Sequence, residues 1–182
     1  MTNGDQPVSS SYRESIEKLI TTPEIRDTLA ELGVFIRNFK TGESYPNYIW
    51  RDLGYRDDQL SEEFWQSIIH PDDRPKAMRQ YEDVLSGKST VYRTIYRIRS
   101  ASGEWRWVVN AGRVVTWADD GRPEFFLGAD VDITERRATE EALERAKTEA
   151  EEQAQEAETL RMAGAIVAST LEVERTVQLV LD

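Results

Sequence analysis

After residue 89 the chain is rich in β-branched and aromatic side chains, and in its first run apolar and polar positions alternate with the period of a β-strand. Two dipeptides typical of hairpin turns, Ser102-Gly103 and Asp120-Gly121, divide this part of the chain. Three long antiparallel strands are therefore predicted, over Val91–Ser100, Glu104–Trp117 and Glu124–Ile133.

The first part of the chain predicts two helices followed by two shorter strands. Ile16, Leu19 and Ile20 share one face of the first helix, and Thr22 is predicted to cap the second, with Pro23 in its first turn. The strands expected next cover Val34–Phe39 and Ser44–Tyr48.

Residues 49–86 predict several short helices. Ser61 precedes an acidic first turn, and Asp72 is predicted to cap the next helix, which places Pro75 where its missing N–H is harmless. Two strands, a helical middle and three long strands close most naturally as a five-stranded antiparallel sheet with helices packed on one face. The predicted fold class is α+β.

A long helix is predicted to begin near Asp132, which has the capping-box spacing to Glu135. No Gly or Pro follows until Gly164, and strong helix formers dominate the run. A helix of this length and polarity is not stable alone. It is therefore expected either to pair with a second copy as a parallel homodimer or to fold back on its own domain. One heptad register forms a weak seam that favours sliding or rotation between helices. The seam comprises Leu143, Ala146, Ala150, Gln153, Ala157, Leu160 and Val167, with Gly164 and Leu171 in the same register.

Composition excludes several function classes. The 182 residues carry a formal charge of −11, which makes nucleic acids and anionic lipid poor partners. The absence of cysteine excludes disulfides, thiolate metal sites and cofactors attached through sulfur. His70 is the one histidine, so metal or acid–base sites built from several imidazoles are excluded too. Without a membrane-length apolar run or a signal peptide, we expect a cytoplasmic location and no direct membrane contact.

Six short segments, in this order and with these gaps, make residues 33–134 resemble the PAS domain, in a subgroup with a Trp-rich second half. They are Leu53-Gly54-Tyr55, His70-Pro71-Asp72-Asp73-Arg74, Tyr96-Arg97-Ile98-Arg99, Gly103-Glu104-Trp105-Arg106-Trp107, Asp120-Gly121-Arg122-Pro123 and Asp132-Ile133-Thr134. The resemblance implies a curved five-stranded sheet around a small internal cavity, with the final strand leading into a signalling helix.

The resulting domain organisation has four parts. Residues 1–32 are expected to form a leader and cap helices, 33–134 the PAS sensory domain and 135–167 the signalling helix. Residues 168–182 resemble the first helix of a GAF domain, which would make the chain a piece of a longer signalling protein.

Five residues are the candidates for lining the cavity: Trp50, Trp65, Tyr96, Trp107 and Asp130. On the strand from Val91, the face with Tyr96 is expected to be cupped, while the arginine face meets the N-terminal helices or a second subunit. Asp130 lies at a strand position that points at the ligand in flavin-binding relatives. The alternative is that its carboxylate faces solvent.

Catalytic and cofactor chemistry finds little support. His70 precedes Pro71 at the start of a helix, a structural position in the family, so haem ligation and phosphate acceptance are not expected. Covalent flavin chemistry would need a cysteine. Asp72 and Asp73, with Glu62 and Glu63, can hold Mg²⁺ or act as acid and base, but at helix starts they more often complement the helix dipole.

We therefore expect a sensory and dimerising module that is not itself an enzyme, binds no metal and needs no resident cofactor, although its cavity has room for an unknown small ligand. Its output would pass through Asp132, Ile133 and Thr134 to a downstream effector, such as a histidine kinase, a diguanylate cyclase or a phosphatase. Asp132 would cap the helix and pair with an arginine nearby. The alternative is a ligand-free scaffold for protein–protein interaction and dimerisation.

Overall fold

The computed structural model describes residues 10–181, and for residues 10, 12, 13, 57 and 166–181 it describes the backbone alone. The predicted leader lies almost wholly outside this range. The chain divides between Thr134 and Glu135 into two units, of which the first contains the sheet and the second is helical.

Two helices precede the sheet, α1 (Ser10–Thr21) and α2 (Pro23–Glu31). Ile16 and the buried Ile20 of α1 pack in one cluster with Ile36 and Phe125, two buried residues of the sheet. The predicted cap of α2 is wrong in detail: the Thr22 hydroxyl makes no capping bond, because it donates to Lys18 O of the preceding helix at 2.6 Å. The N-terminal helices thus cover part of the sheet, which explains the apolar stripe of α1.

The sheet has five antiparallel strands in the order β2-β1-β5-β4-β3, which confirms the predicted fold class. Each long strand lies within a residue or two of its predicted bounds, whereas β2 is only two residues long. The strands are β1 (Val34–Asn38), β2 (Ser44–Tyr45), β3 (Tyr92–Arg99), β4 (Trp105–Trp117) and β5 (Pro123–Asp132).

Short helices connect β2 to β3, and the face of the sheet on which they pack carries most of the core. They are α3 (Ile49–Asp52), a 3₁₀ turn (Asp57–Gln59), α4 (Glu62–Ile68) and α5 (Arg74–Leu85). Helix α4 begins with the predicted acidic first turn, and Ser61 caps it by accepting from Phe64 N at 3.1 Å. The cap predicted at Asp72 is wrong: Asp73 holds that position, and its carboxylate binds Arg97 of β3 at 2.8 Å instead of the helix N–H groups.

Helix α6 (Thr134–Leu181) follows β5 and is 48 residues long. It continues through Gly164 and through the segment with GAF resemblance, whose side chains, like that of Val167, lie outside the described residues. Leu143 and Leu160 of the predicted seam are 70% and 66% exposed, so the single chain leaves the seam uncovered at these positions. Pairing of this helix stays a prediction.

Candidate functional site

A cavity of about 80 Å³ lies between the inner face of the sheet and helices α3 to α5. Its walls are largely aromatic. Its strands also contribute four polar residues that are not aromatic: Arg37 of β1 and Ser44 of β2 at its mouth, Asn110 of β4 and Asp130 of β5. The aromatic walls are formed by Phe35, Trp50, Trp65, Tyr81, Tyr92 and Phe126.

The aromatic walls are held together by ring contacts from three elements. Phe35 of β1 and Phe126 of β5 stack with centroids 5.9 Å apart, and the Tyr81 ring of α5 meets Phe126 edge-on at 5.7 Å. Gly112 and Gly128 are required here, because a Cβ at either position would collide with the ring of Phe126 or Phe35. The two glycines let these rings lie flat across the strands and shape the cavity.

Asp130 is 5% exposed and belongs to the cavity, which settles its orientation. Asn47 Nδ2 donates to Oδ2 at 3.0 Å and Asn110 Nδ2 donates to Oδ1 at 2.6 Å. Burial raises the pKa of this carboxyl to about 7, although both amide hydrogen bonds favour the ionised form. Asp130 thus titrates near neutral pH.

The amide of Asn47 is oriented by the backbone around it. Its Oδ1 accepts from Ile49 N at 3.1 Å, and its Nδ2 also donates to Gly33 O at 2.7 Å. The donor end therefore has to face Asp130. Asn110 is different, since its Oδ1 is buried without a hydrogen-bond partner among the described residues.

An ion pair lies at the mouth of the cavity. Arg37 Nη2 of β1 is 3.0 Å from Glu62 Oε2 of α4, and Arg37 Nη1 donates to Ser44 Oγ at 3.1 Å. These contacts join the sheet to the helical layer where the cavity opens.

The predicted cavity residues divide into two groups. Trp50, Trp65 and Asp130 line the cavity, and Tyr96 lies behind the wall, where its hydroxyl accepts from Trp65 Nε1 at 3.0 Å. Trp107 lies apart from them, because it pairs with Arg97 across β3 and β4 and packs under that guanidinium, 5.2 Å from the ring centroid.

Sequence reasoning missed four polar residues of the site: Asn47, Asn110, Arg37 and Glu62. One signal was available for Asn110, since strand alternation places it on the same face as the buried Val108. A buried amide in such a strand needs a partner, and the partner is Asp130.

The predicted relay residues form a joint at the end of β5. Arg106 of β4 donates to Asp132 Oδ2 from Nη2 at 2.7 Å, and Thr134 N donates to Asp132 Oδ1 at 2.8 Å. Ile133 is buried, and Thr134 Oγ1 accepts from Trp107 N at 2.8 Å. Partial burial opposes ionisation of Asp132, but its bonds to Thr134 and Arg106 outweigh burial and hold its pKa below the usual range. The contacts place these residues together, and their role as a relay stays a prediction.

The remaining acidic residues and His70 are engaged in structural contacts. His70 Nδ1 accepts from Asp72 N at 3.2 Å, and its ring lies 4.6 Å from that of Trp105. Hydrogen bonds from Arg97 lower the pKa of Asp73. Within the described residues, no three potential metal ligands come together, and no helix is long and apolar enough to cross a membrane.

Comparisons with known proteins agree with this architecture. A family model described as "PAS fold" matches residues 47–129. A crystal structure of a sensory box histidine kinase/response regulator from Burkholderia thailandensis is 31% identical, with a TM-score of 0.51 over 64% of this chain and 88% of that one. The N-terminal domain of a diguanylate cyclase with PAS/PAC sensor from Marinobacter aquaeolei is 20% identical, with a TM-score of 0.50 over 57% of this chain and 96% of that one.

Among curated proteins, the chain is 30% identical over 89 residues to the probable diguanylate cyclase DgcE of Escherichia coli, an alignment covering 49% of this chain. The chain spans 13% and 8% of the length of the two curated relatives it matches. The five-stranded sheet, the family match and these structural neighbours lead to one conclusion: the chain has the PAS fold, the fold of sensor domains found in histidine kinases and diguanylate cyclases.

Proposed function

We propose that the domain detects a small ligand in its cavity and passes the signal through the end of β5 to helix α6. One observation carries the proposal: Asp130, which lines the cavity, and Asp132, which forms the joint before α6, lie two residues apart on one strand. A ligand that binds Asp130 acts on the same stretch of backbone that carries the joint.

The contacts of β5 explain why a shift there would travel. Asp130 N donates to Gly33 O at 2.9 Å and Ile133 N donates to Trp107 O at 2.8 Å, so this segment is bonded on both sides. When one residue of a hydrogen-bonded strand is displaced, its neighbours in the strand move with it more easily than the backbone between them stretches. A displacement at Asp130 would therefore change the geometry of the Asp132–Arg106 pair.

Helix α6 would carry the signal as part of a parallel homodimer. Its exposed seam residues, such as Leu143 and Leu160, need cover, and a second copy supplies it in the same register. Alternative packings of a weak seam differ by only a few kcal/mol, which suits a switch. We further propose a cytoplasmic protein whose effector is of the kinase, cyclase or phosphatase kind, with a GAF domain that starts at residues 168–182.

The test joins the chain in frame to a diguanylate cyclase domain and measures cyclase output with and without the ligand that native mass spectrometry identifies in the purified protein. Asp132→Ala should retain ligand binding and lose most of the ligand-dependent change in output. Asp120→Asn, at an exposed turn, is the control and should respond like the wild type. If Asp132→Ala responds like the wild type, the relay is wrong, and a cavity that never holds a ligand would support the scaffold alternative.

A further inference from the structure

Asn110 and Asp130 leave hydrogen-bond acceptors unfilled in the cavity. Asn110 Oδ1 is buried without a partner among the described residues, and Asp130 keeps lone pairs beyond the two amide bonds it accepts. The lining residue Arg37 also has a buried Nε donor without a hydrogen-bond partner among the described residues, but its guanidinium is paired with Glu62 at 3.0 Å. Unfilled buried acceptors cost free energy, and a ligand that donates hydrogen bonds would recover it.

The charges around the cavity also disfavour an anionic ligand. Arg37 is the cation among the described lining residues, and Glu62 neutralises it at 3.0 Å. The partners of Asp130 are neutral amides, so its negative charge has no counterion within the cavity. An anionic ligand would therefore have to displace Glu62 from Arg37 and also approach Asp130.

We infer that the cavity selects a small molecule with a protonated amine on a compact apolar body. The ammonium would lie between Asp130 and Asn110 Oδ1, and the apolar body would lie against rings such as those of Trp65 and Phe126. Aromatic faces also attract cations, which adds to the selection. This inference rests on the proposed function and specifies the ligand class of the same site.

The test compares three probes that share a propyl chain and are small enough for a cavity of about 80 Å³: propylamine, 1-propanol and butyrate. Calorimetry on the full chain should show the amine binding at least about tenfold more tightly than the alcohol, with the anion weakest. Asp130→Asn should weaken amine binding about tenfold and leave alcohol binding within about threefold. Asp120→Asn removes an equal charge from an exposed turn and should leave all three affinities unchanged.

A second measurement needs no variant. Between pH 6 and pH 8 the amine affinity of the wild type should rise about tenfold, because Asp130 ionises over this range while the amine stays protonated. The tyrosines nearby do not imitate this change, because burial raises the pKa values of Tyr81, Tyr92 and Tyr96 and they stay neutral over this range.

Three results would overturn the inference: anion binding as tight as amine binding, amine affinity unchanged by both Asp130→Asn and pH, or no binding of the amine at millimolar concentration. The proposed function is judged separately by native mass spectrometry of the purified chain. A bound molecule of another chemical class would refute the amine inference and leave the sensory function standing, whereas a persistently empty cavity would refute both.

Discussion

Asp130 and Asp132 lie two residues apart on β5, and their surroundings push their pKa values in opposite directions. Asp130 is enclosed with neutral amides, and burial raises its pKa to about 7. Asp132 is also partly buried, but hydrogen bonds from Thr134 and Arg106 lower its pKa despite that burial. The comparison teaches that depth of burial and the presence of a charged partner together decide which carboxylate is a stable joint and which can respond to a ligand or a proton.

The largest expected effect is on the pH dependence of stability at Asp130. Its folded pKa is raised, so the folded state binds the proton more tightly than the unfolded chain, and stability falls as pH rises from about 4 to about 7. Asp130→Asn removes this term, so its stability relative to the wild type should increase over that range by up to about 4 kcal/mol. Urea unfolding of both proteins at several pH values measures the difference. If the difference in stability between the two proteins did not change with pH, the raised pKa of an enclosed Asp130 without a counterion would be contradicted.

Asp132→Ala should change the stability of the folded protein in the opposite direction to Asp130→Asn, and by a smaller amount. The folded pKa of Asp132 is lowered, so its contribution is present above about pH 4 and is lost as pH falls through the folded value. The variant should be less stable than the wild type by about 1–3 kcal/mol at pH 7, with the gap closing in acid. The same urea series tests this, and a gap that widened in acid would be inconsistent with the ion pair.

Tyr92→Phe should have a small effect at the cavity. It removes a buried hydroxyl without a hydrogen-bond partner and keeps the ring contacts with Tyr81 and Phe126. We expect a change within about 1 kcal/mol, neutral or stabilising, since no bond is lost. Thermal unfolding measures it, with Tyr96→Phe as the control because that hydroxyl accepts from Trp65. A loss of more than about 2 kcal/mol would mean that Tyr92 is bonded after all.

Insertions in α6 should have the smallest effect on the stability of the sheet-containing unit and the largest effect on the cyclase output of the fusion. One residue inserted near Ala150 rotates the later seam by about 100°, whereas seven residues restore its register. Domain stability should stay unchanged in both, while cyclase output in the fusion should be disturbed by the first and largely kept by the second. Equal outputs from the two insertions would show that the helix is only a tether.

Pairing of α6 is tested separately by light scattering. A monomer mass at tens of micromolar would count against pairing.

Much of the fold followed from local patterns. The β-branched and aromatic runs predicted the three long strands, and the acidic residues after Ser61 predicted the first turn of α4, because such patterns act over a few positions. The predicted cap at Asp72 failed because the neighbouring Asp73 met Arg97, 24 residues away, and that charge-assisted contact cannot be read from spacing.

The sequence by itself determined the strands, the helices and the α+β class, because hydrophobic period and turn residues act over a few positions. Only the tertiary structure decided the site. The sequence left two orientations open for Asp130. Its hydrogen bonds with Asn47, 83 residues away, and Asn110, 20 residues away, fix the one that faces the cavity. Trp107 was predicted for the cavity, yet strand pairing put it beside Arg97 on another face. Which face of a strand becomes a cavity depends on the pairing of all five strands and on the helices that cover them, and no single segment contains that information.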